Sequence, residues 1–199
     1  MSKVTCSVSI SLDNFMAAKN MTLEKPFGDM PTQLLHHWMF DEPEKHKTEV
    51  ESLTSASAYI MGRNMFGPKD LQSETSWEGW WGDNPPYHAP VFVLSHSEHA
   101  PIVMEGGTTF TFVTDGIESA LEQARAAAGT GDIAIAGGAN VVNQYLRSGL
   151  IDELWLHIAP VTIGAGQQLF KDTPDLHFKP IETRTTDIVT HIRYLIDHP

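Results

Sequence analysis

Three short stretches carry residue types that could hold an elongated phosphate ligand: Gly62-Arg63-Asn64, Ser95-His96 and Gly137-Gly138-Ala139-Asn140. An arginine can bind phosphate oxygens through two parallel N–H donors. A serine hydroxyl can donate to a phosphate, and a histidine adds charge when protonated. Two glycines between a strand and a helix let a ligand approach the backbone, and the first helical N–H groups together with the helix dipole favour an anion there. Neither G-x-G-x-x-G nor a Walker loop is present, so the diglycine does not read as a Rossmann or P-loop element.

The elements around these stretches predict where they lie. The apolar run 133–136 is too short for a helix and ends at the diglycine, so it reads as a buried strand. A helix follows, with Asn140 as its cap, Val141, Val142, Tyr145 and Leu146 on one face, and Gly149 at its C-terminal end. Leu154, Leu156 and Ile158 then alternate with Trp155, His157 and Ala159 as a second strand, which Pro160 ends. Strand, helix and strand imply a right-handed parallel crossover. Further strands are read at 58–61, 91–94 and 108–114, a helix at 117–128, and two antiparallel edge strands around 176–178 and 188–195. Each phosphate-type turn thus follows a strand directly, at the strand ends where ligands of open α/β sheets bind. That convergence points to a dinucleotide.

With 199 residues, 41% of them hydrophobic, the chain reads as one α/β domain over residues 1–199, built on one mostly parallel sheet. A formal net charge of −12 argues against nucleic acid and anionic membrane as partners. No stretch is long and apolar enough to cross a membrane, and with no basic and apolar leader the expected compartment is the cytoplasm. The lone Cys6 agrees with a reducing compartment and reads as a small buried strand residue. No histidine or cysteine spacing suggests zinc, and His36 and His37 point apart on a helix, so no metal is expected. No nucleophile arrangement of a hydrolase stands out.

Residues 3–17 begin with a strict alternation in which Val4, Cys6, Val8 and Ile10 face one way and Thr5, Ser7, Ser9 and Ser11 the other. Residues 29–40 read as a helix with Leu34, Leu35, Trp38 and Met39 on one face and Asp29 or Met30 as its cap. Residues 44–55 read as a polar helix with Val50 and Leu53 inward. The loop 73–90 holds Trp77, Trp80, Trp81 and Tyr87, either as a subunit interface or as a wall on which a flat heterocycle stacks. Together with the apolar strand 154–158, that loop motivates an expectation of homodimerisation.

The run AGGANVVNQYLRSGLIDELWLHIAPVTIGAGQQLF, with G-R-N-M-F at 62–66 and V-L-S-H at 93–96, resembles the dihydrofolate reductase-like superfamily, in the branch that includes the reductase domain of riboflavin biosynthesis. The resemblance implies a three-layer fold with helices on both sheet faces. It also implies NADPH as hydride donor to a pteridine- or pyrimidine-like heterocycle. It assigns cofactor binding to Ser9, Met16, Gly62, Arg63, Asn64, Ser95, His96, Gly137, Gly138, Ala139 and Asn140. Leu12, Asp13 and Phe15 would border the nicotinamide. Met65 stands where the family usually has threonine, and Asp29 matches the family's acidic proton donor poorly, so no catalytic side chain is identified. A non-catalytic nucleotide-binding module of the same fold is the alternative reading. Among reductases, ribosylamino-pyrimidine and folate-type substrates compete, and the absence of a fused deaminase weighs mildly against a dedicated riboflavin enzyme.

Overall fold

A computed structural model describes residues 2–67 and 77–197. Nine strands form one sheet in the order β10-β11-β8-β1-β7-β3-β4-β6-β5. Its centre is parallel: β1 (Val4–Ser11) lies between β7 (Ile133–Gly137) and β8 (Glu153–Ala159), followed outward by β3 (Ala58–Gly62), β4 (Pro90–Leu94) and β6 (Thr109–Val113). Antiparallel strands finish both edges, β5 (Ile102–Val103) on one side and β11 (Thr190–Asp197) with β10 (His177–Thr185) on the other. A separate antiparallel pair joins β2 (Phe15–Ala18) to β9 (Gly166–Gln168). The chain is an α/β fold with a mostly parallel sheet, helices on both faces and antiparallel C-terminal edge strands.

The alternation in β1 divides the layers. Val4, Cys6, Val8 and Ile10 are buried against α4 (Ile117–Ala128) and α5 (Ala139–Arg147), whose Leu121, Ala124, Val142, Tyr145 and Leu146 complete that core. The opposite face carries Ser7, Ser9 and Ser11 and is covered by α1 (His37–Phe40) and α2 (Lys47–Ser52). Cys6 is 1% exposed, and burial pushes its thiol up to about 12. At neutral pH it is therefore expected to resist a thiol-specific reagent in the native protein and to react only on unfolding. Rapid labelling without denaturant would contradict its placement.

Several local expectations change in three dimensions. Residues 29–40 do not form one helix: reverse-turn bonds from Leu34 N–H to Pro31 and from His36 N–H to Gln33 precede the four residues of α1. In the 44–55 segment a 3-10 turn leads into α2, and the fully buried side chains are His46 and Glu49, while Val50 and Leu53 are half-buried. Of the aromatic loop, residues 73–76 lie outside the described residues. Trp77 donates to the Phe66 carbonyl at 2.8 Å, Trp81 stacks on Phe110, and Tyr87 meets Tyr59. These rings pack against the core over β3, β4 and β6. Strand β8 is interior, paired on both sides by β1 and β11.

Candidate functional site

Adjacent parallel strands bring the three turns into line along one sheet rim. Gly137 ends β7 and pairs with Met61 of β3; Gly62 ends β3 and pairs with Leu94, the last residue of β4 before Ser95. Neighbouring strands lie about 4.8 Å apart, so the rim offers successive positions to an extended ligand. Packing here requires glycine. A Cβ on Gly62 would meet Val141 Cγ2 at 2.9 Å, with Gly138 N at 3.8 Å and Gly137 O at 3.9 Å. Gly137 has a φ of +128°, and a Cβ there would meet Met65 Sδ at 3.2 Å and Met16 Cε at 3.8 Å. Met16 and Met65 thus converge on the diglycine, whose peptide bond is cis.

Gly138 is different, because a Cβ on it would meet nothing within 4 Å. It is the N-cap of α5, and no side chain caps that helix. The expected Asn140 cap is not formed: Asn140 is exposed and its Oδ1 accepts instead from Gln144 Nε2 at 2.7 Å. The first-turn N–H groups of α5 thus have neither an intrahelical partner nor a side-chain cap, the arrangement that accepts an anion.

Arg63 opens the short helix α3 (Arg63–Phe66), and Asn64 beside it is exposed. The Arg63 guanidinium donates from Nη1 to the Gly67 carbonyl at 3.1 Å and lies 5.4 Å over the Phe66 ring. Its Nε is buried without a partner among the described residues, and burial lowers its pKa from the usual arginine value. Ser95 Oγ donates to the Ser97 carbonyl at 2.9 Å and accepts from the Ser97 N–H at 3.1 Å, while His96 is exposed.

Behind the rim, β1 and β2 are joined by a fastened loop. Asp13 accepts from Ser11 Oγ at 2.5 Å, from Ile163 N–H at 3.0 Å and from Gly164 N–H at 2.7 Å. Those bonds, the Ser11 hydroxyl first, hold its carboxyl below the usual range, so Asp13 anchors the loop as an anion and leaves Met16 in place. Asp29 is likewise kept ionised, chiefly by Asn20 Nδ2 at 2.6 Å and also by Lys25, at an exposed position.

Ser9, one of the cofactor-binding candidates, lies under an indole ring of the protein itself: Trp38 Nε1 donates to Ser9 Oγ at 3.1 Å, and Ser9 is 7% exposed. Trp38 also covers a buried string of imidazoles. Ser7 Oγ is 2.8 Å from His157 Nε2, His157 Nδ1 is 2.7 Å from His191 Nδ1, and His191 Nε2 is 2.8 Å from His46 Nδ1. Arg184 Nη2 reaches the same His46 Nδ1 at 2.9 Å and holds Glu49 with two bonds of 2.7 Å. Arginine can only donate, so His46 Nδ1 is bare. With neutral rings, His191 then donates from Nε2, His157 from Nδ1, and Ser7 through its hydroxyl hydrogen.

Burial favours that neutral state. It lowers the pKa of His36 and of His191 to about 4 and that of His157 well below 6.5. The unfolded chain, with ordinary values near 6.5, binds these protons first. Stability is therefore expected to be level above pH 6.5 and to fall as pH drops from 6.5 towards 4, before the carboxylates titrate. Urea midpoints measured across that range check it; a level midpoint down to pH 4.5 would contradict the buried neutral histidines.

Sequence reasoning missed this cluster. Its one linear trace is His46-x-x-Glu49, which puts both side chains on one turn of helix. His157 and His191 are opposed in register on β8 and β11, a pairing that only the sheet reveals.

Residues 2–191 match the RibD C-terminal domain family. Among individual proteins, the chain is 24% identical over 190 residues to the uncharacterized protein YyaP of Bacillus subtilis (strain 168), covering 92% of this chain and 88% of that one. A protein from Shewanella sp. PV-4, provisionally named for riboflavin biosynthesis, superposes with a TM-score of 0.64 at 24% identity over 100% of both chains. Dihydrofolate reductase from Enterococcus faecalis, complexed with NADP(H), gives 0.60 at 13% identity over 98% of this chain and 97% of its own. These likenesses establish the dihydrofolate reductase-like fold. Among the described residues no helix is long and apolar enough to cross a membrane.

Proposed function

Because the chain belongs to the RibD C-terminal domain family, we propose that it is an NADPH-dependent reductase of a small pteridine- or pyrimidine-like heterocycle. The observation that carries this reading is the rim itself. Three turns, two of them bearing glycine and the third Ser95-His96, follow adjacent strands, and the uncapped start of α5 lies beside Gly138. The fit to a dinucleotide rests on two features of this chain: the open face of Gly138 and the Arg63 Nε, buried without a partner among the described residues.

When bound, the cofactor would supply the hydride from its nicotinamide. The N–H groups of Ala139 and Asn140 with Arg63 would hold its phosphates, and Asn64, Ser95 and His96 would extend the polar contacts along the rim. Met16 and Met65 would give an apolar wall against Gly137, and Asp13 would fix the loop that carries Met16. With Asp13 and Asp29 both held ionised, the proton is assigned to solvent water rather than to a side chain.

The same absence of an acid favours, as a second reading, a nucleotide-binding module without turnover. The two separate in one assay, the loss of NADPH absorbance in the presence of oxidised pterins and of ribosylamino-pyrimidines. Turnover of either class supports the reductase. Saturable NADPH binding with no turnover of both classes would reject it in favour of the module.

A further inference from the structure

We propose that His46, Glu49 and His191 form a binding site for a divalent transition-metal ion, whose place the Arg184 guanidinium now takes. One nitrogen from each histidine and one carboxylate oxygen from Glu49 all lie within 4.8 Å of one another, and all three residues are buried. His46 and Glu49 come from one turn, at the junction of the 3-10 segment and α2, and His191 comes from β11. The site therefore ties the helical cover to the sheet edge, away from the rim of the three turns.

The donor set fits such an ion. Two imidazoles and one carboxylate suit zinc and its neighbours, which take bonds of about 2.1 Å and ligand separations of about 3.4 Å in tetrahedral geometry. His46 Nδ1 and His191 Nε2 are 2.8 Å apart, and His191 Nε2 lies 3.9 Å from Glu49 Oε1, so shifts of less than an ångström bring each of these two pairs to that spacing. The shell behind the ligands is also built. His157 Nδ1 abuts His191 Nδ1, and Ser7 abuts His157 Nε2. Metal at His191 Nε2 requires the proton on Nδ1, which reverses the string: His191 donates to His157, and His157 donates from Nε2 to Ser7. Each ring keeps one proton. Such hydrogen-bonded partners orient metal-bound histidines and fix their tautomer.

A second observation is the position of positive charge. Glu49 is 3% exposed, and the guanidinium that neutralises it arrives from the edge strand β10 with a side chain 38% exposed. Arg184 can therefore swing to solvent, vacating a coordination position for water, while an incoming cation compensates Glu49. His46 Nε2, buried and without a hydrogen-bond partner among the described residues, stays outside the triad and lies 4.0 Å from Glu42.

Competition between arginine and metal gives the test. Removing Arg184 leaves an uncompensated buried carboxylate, which destabilises. Arg184→Gln should melt below the wild type in EDTA and regain the loss with Zn²⁺, and it should bind Zn²⁺ at least about tenfold more tightly than the wild type in a calorimetric titration. Glu49→Gln combined with Arg184→Gln should show neither rescue nor tight binding. Trp38, whose ring centroid is 5.1 Å from that of His191, should lose emission with Co²⁺ in Arg184→Gln and keep it in the double variant. Failure of Zn²⁺ to rescue Arg184→Gln, or equal binding by the double variant, would overturn the site.

Discussion

Gly137→Ala is expected to weaken NADPH binding by about 5- to 150-fold. Its φ of +128° is a conformation that side chains rarely adopt, and the new Cβ would press on Met65 Sδ at 3.2 Å. Forcing a residue with a side chain into such a conformation costs about 1–3 kcal/mol, which converts to that range of affinity if the backbone must return to its present path on binding. The control is Gly129→Ala. Gly129 also has positive φ, at +61°, but ends α4 with open space around it, far from the rim. It should lose stability and leave affinity unchanged. Equal affinity for NADPH in Gly137→Ala and wild type would show that the diglycine does not meet the cofactor.

The second large effect concerns stability. Trp38 is 1% exposed, donates to Ser9, and packs against His157 at 4.4 Å between ring centroids. Trp38→Ala should cost about 3–5 kcal/mol, because the cavity is lined by imidazoles that cannot collapse without breaking their bonds. For a chain of this size that is a fall in Tm of about 6–20 °C. Trp38→Phe, which keeps a ring and loses the Ser9 bond, should fall less. A melting temperature for Trp38→Ala within a degree or two of wild type would contradict the cover that α1 places over the sheet.

How far the sequence discloses this molecule depends on how local the signal is. The helix at 117–128 and the strand-diglycine-helix unit after it are visible because apolar spacing, Gly116 and Gly149 lie within one turn of the elements they bound. Strand ends carrying Gly62, Ser95 and Gly137 are legible for the same reason, although their side-by-side order is given only by the sheet topology. Residues 29–40 deceive because their apolar positions are satisfied by burial of Leu35 and Trp38 without a continuous helix. In the loop after α3, the tryptophans look like a surface feature in one dimension. Only the fold lays them on Phe66, Phe110 and Tyr87.

The buried histidines are the extreme case. His46, His157 and His191 stand 145 residues apart from first to last, and each alone reads as a polar surface residue. Their partnership needs the β8–β11 register together with a helix whose inward face is ionisable. A purely apolar pattern search passes over it, since it takes His46 and Glu49 as the solvent side of α2.

The most direct test of the central claim is a titration of the protein with NADPH followed by intrinsic tryptophan fluorescence, in wild type and in Arg63→Ala. Micromolar quenching by NADPH in the wild type, weakened at least about tenfold by loss of the arginine's charged hydrogen bonds, is the predicted result. No binding of NADPH, or binding that Arg63→Ala leaves unchanged, would contradict the assignment of the three-turn rim as a cofactor site.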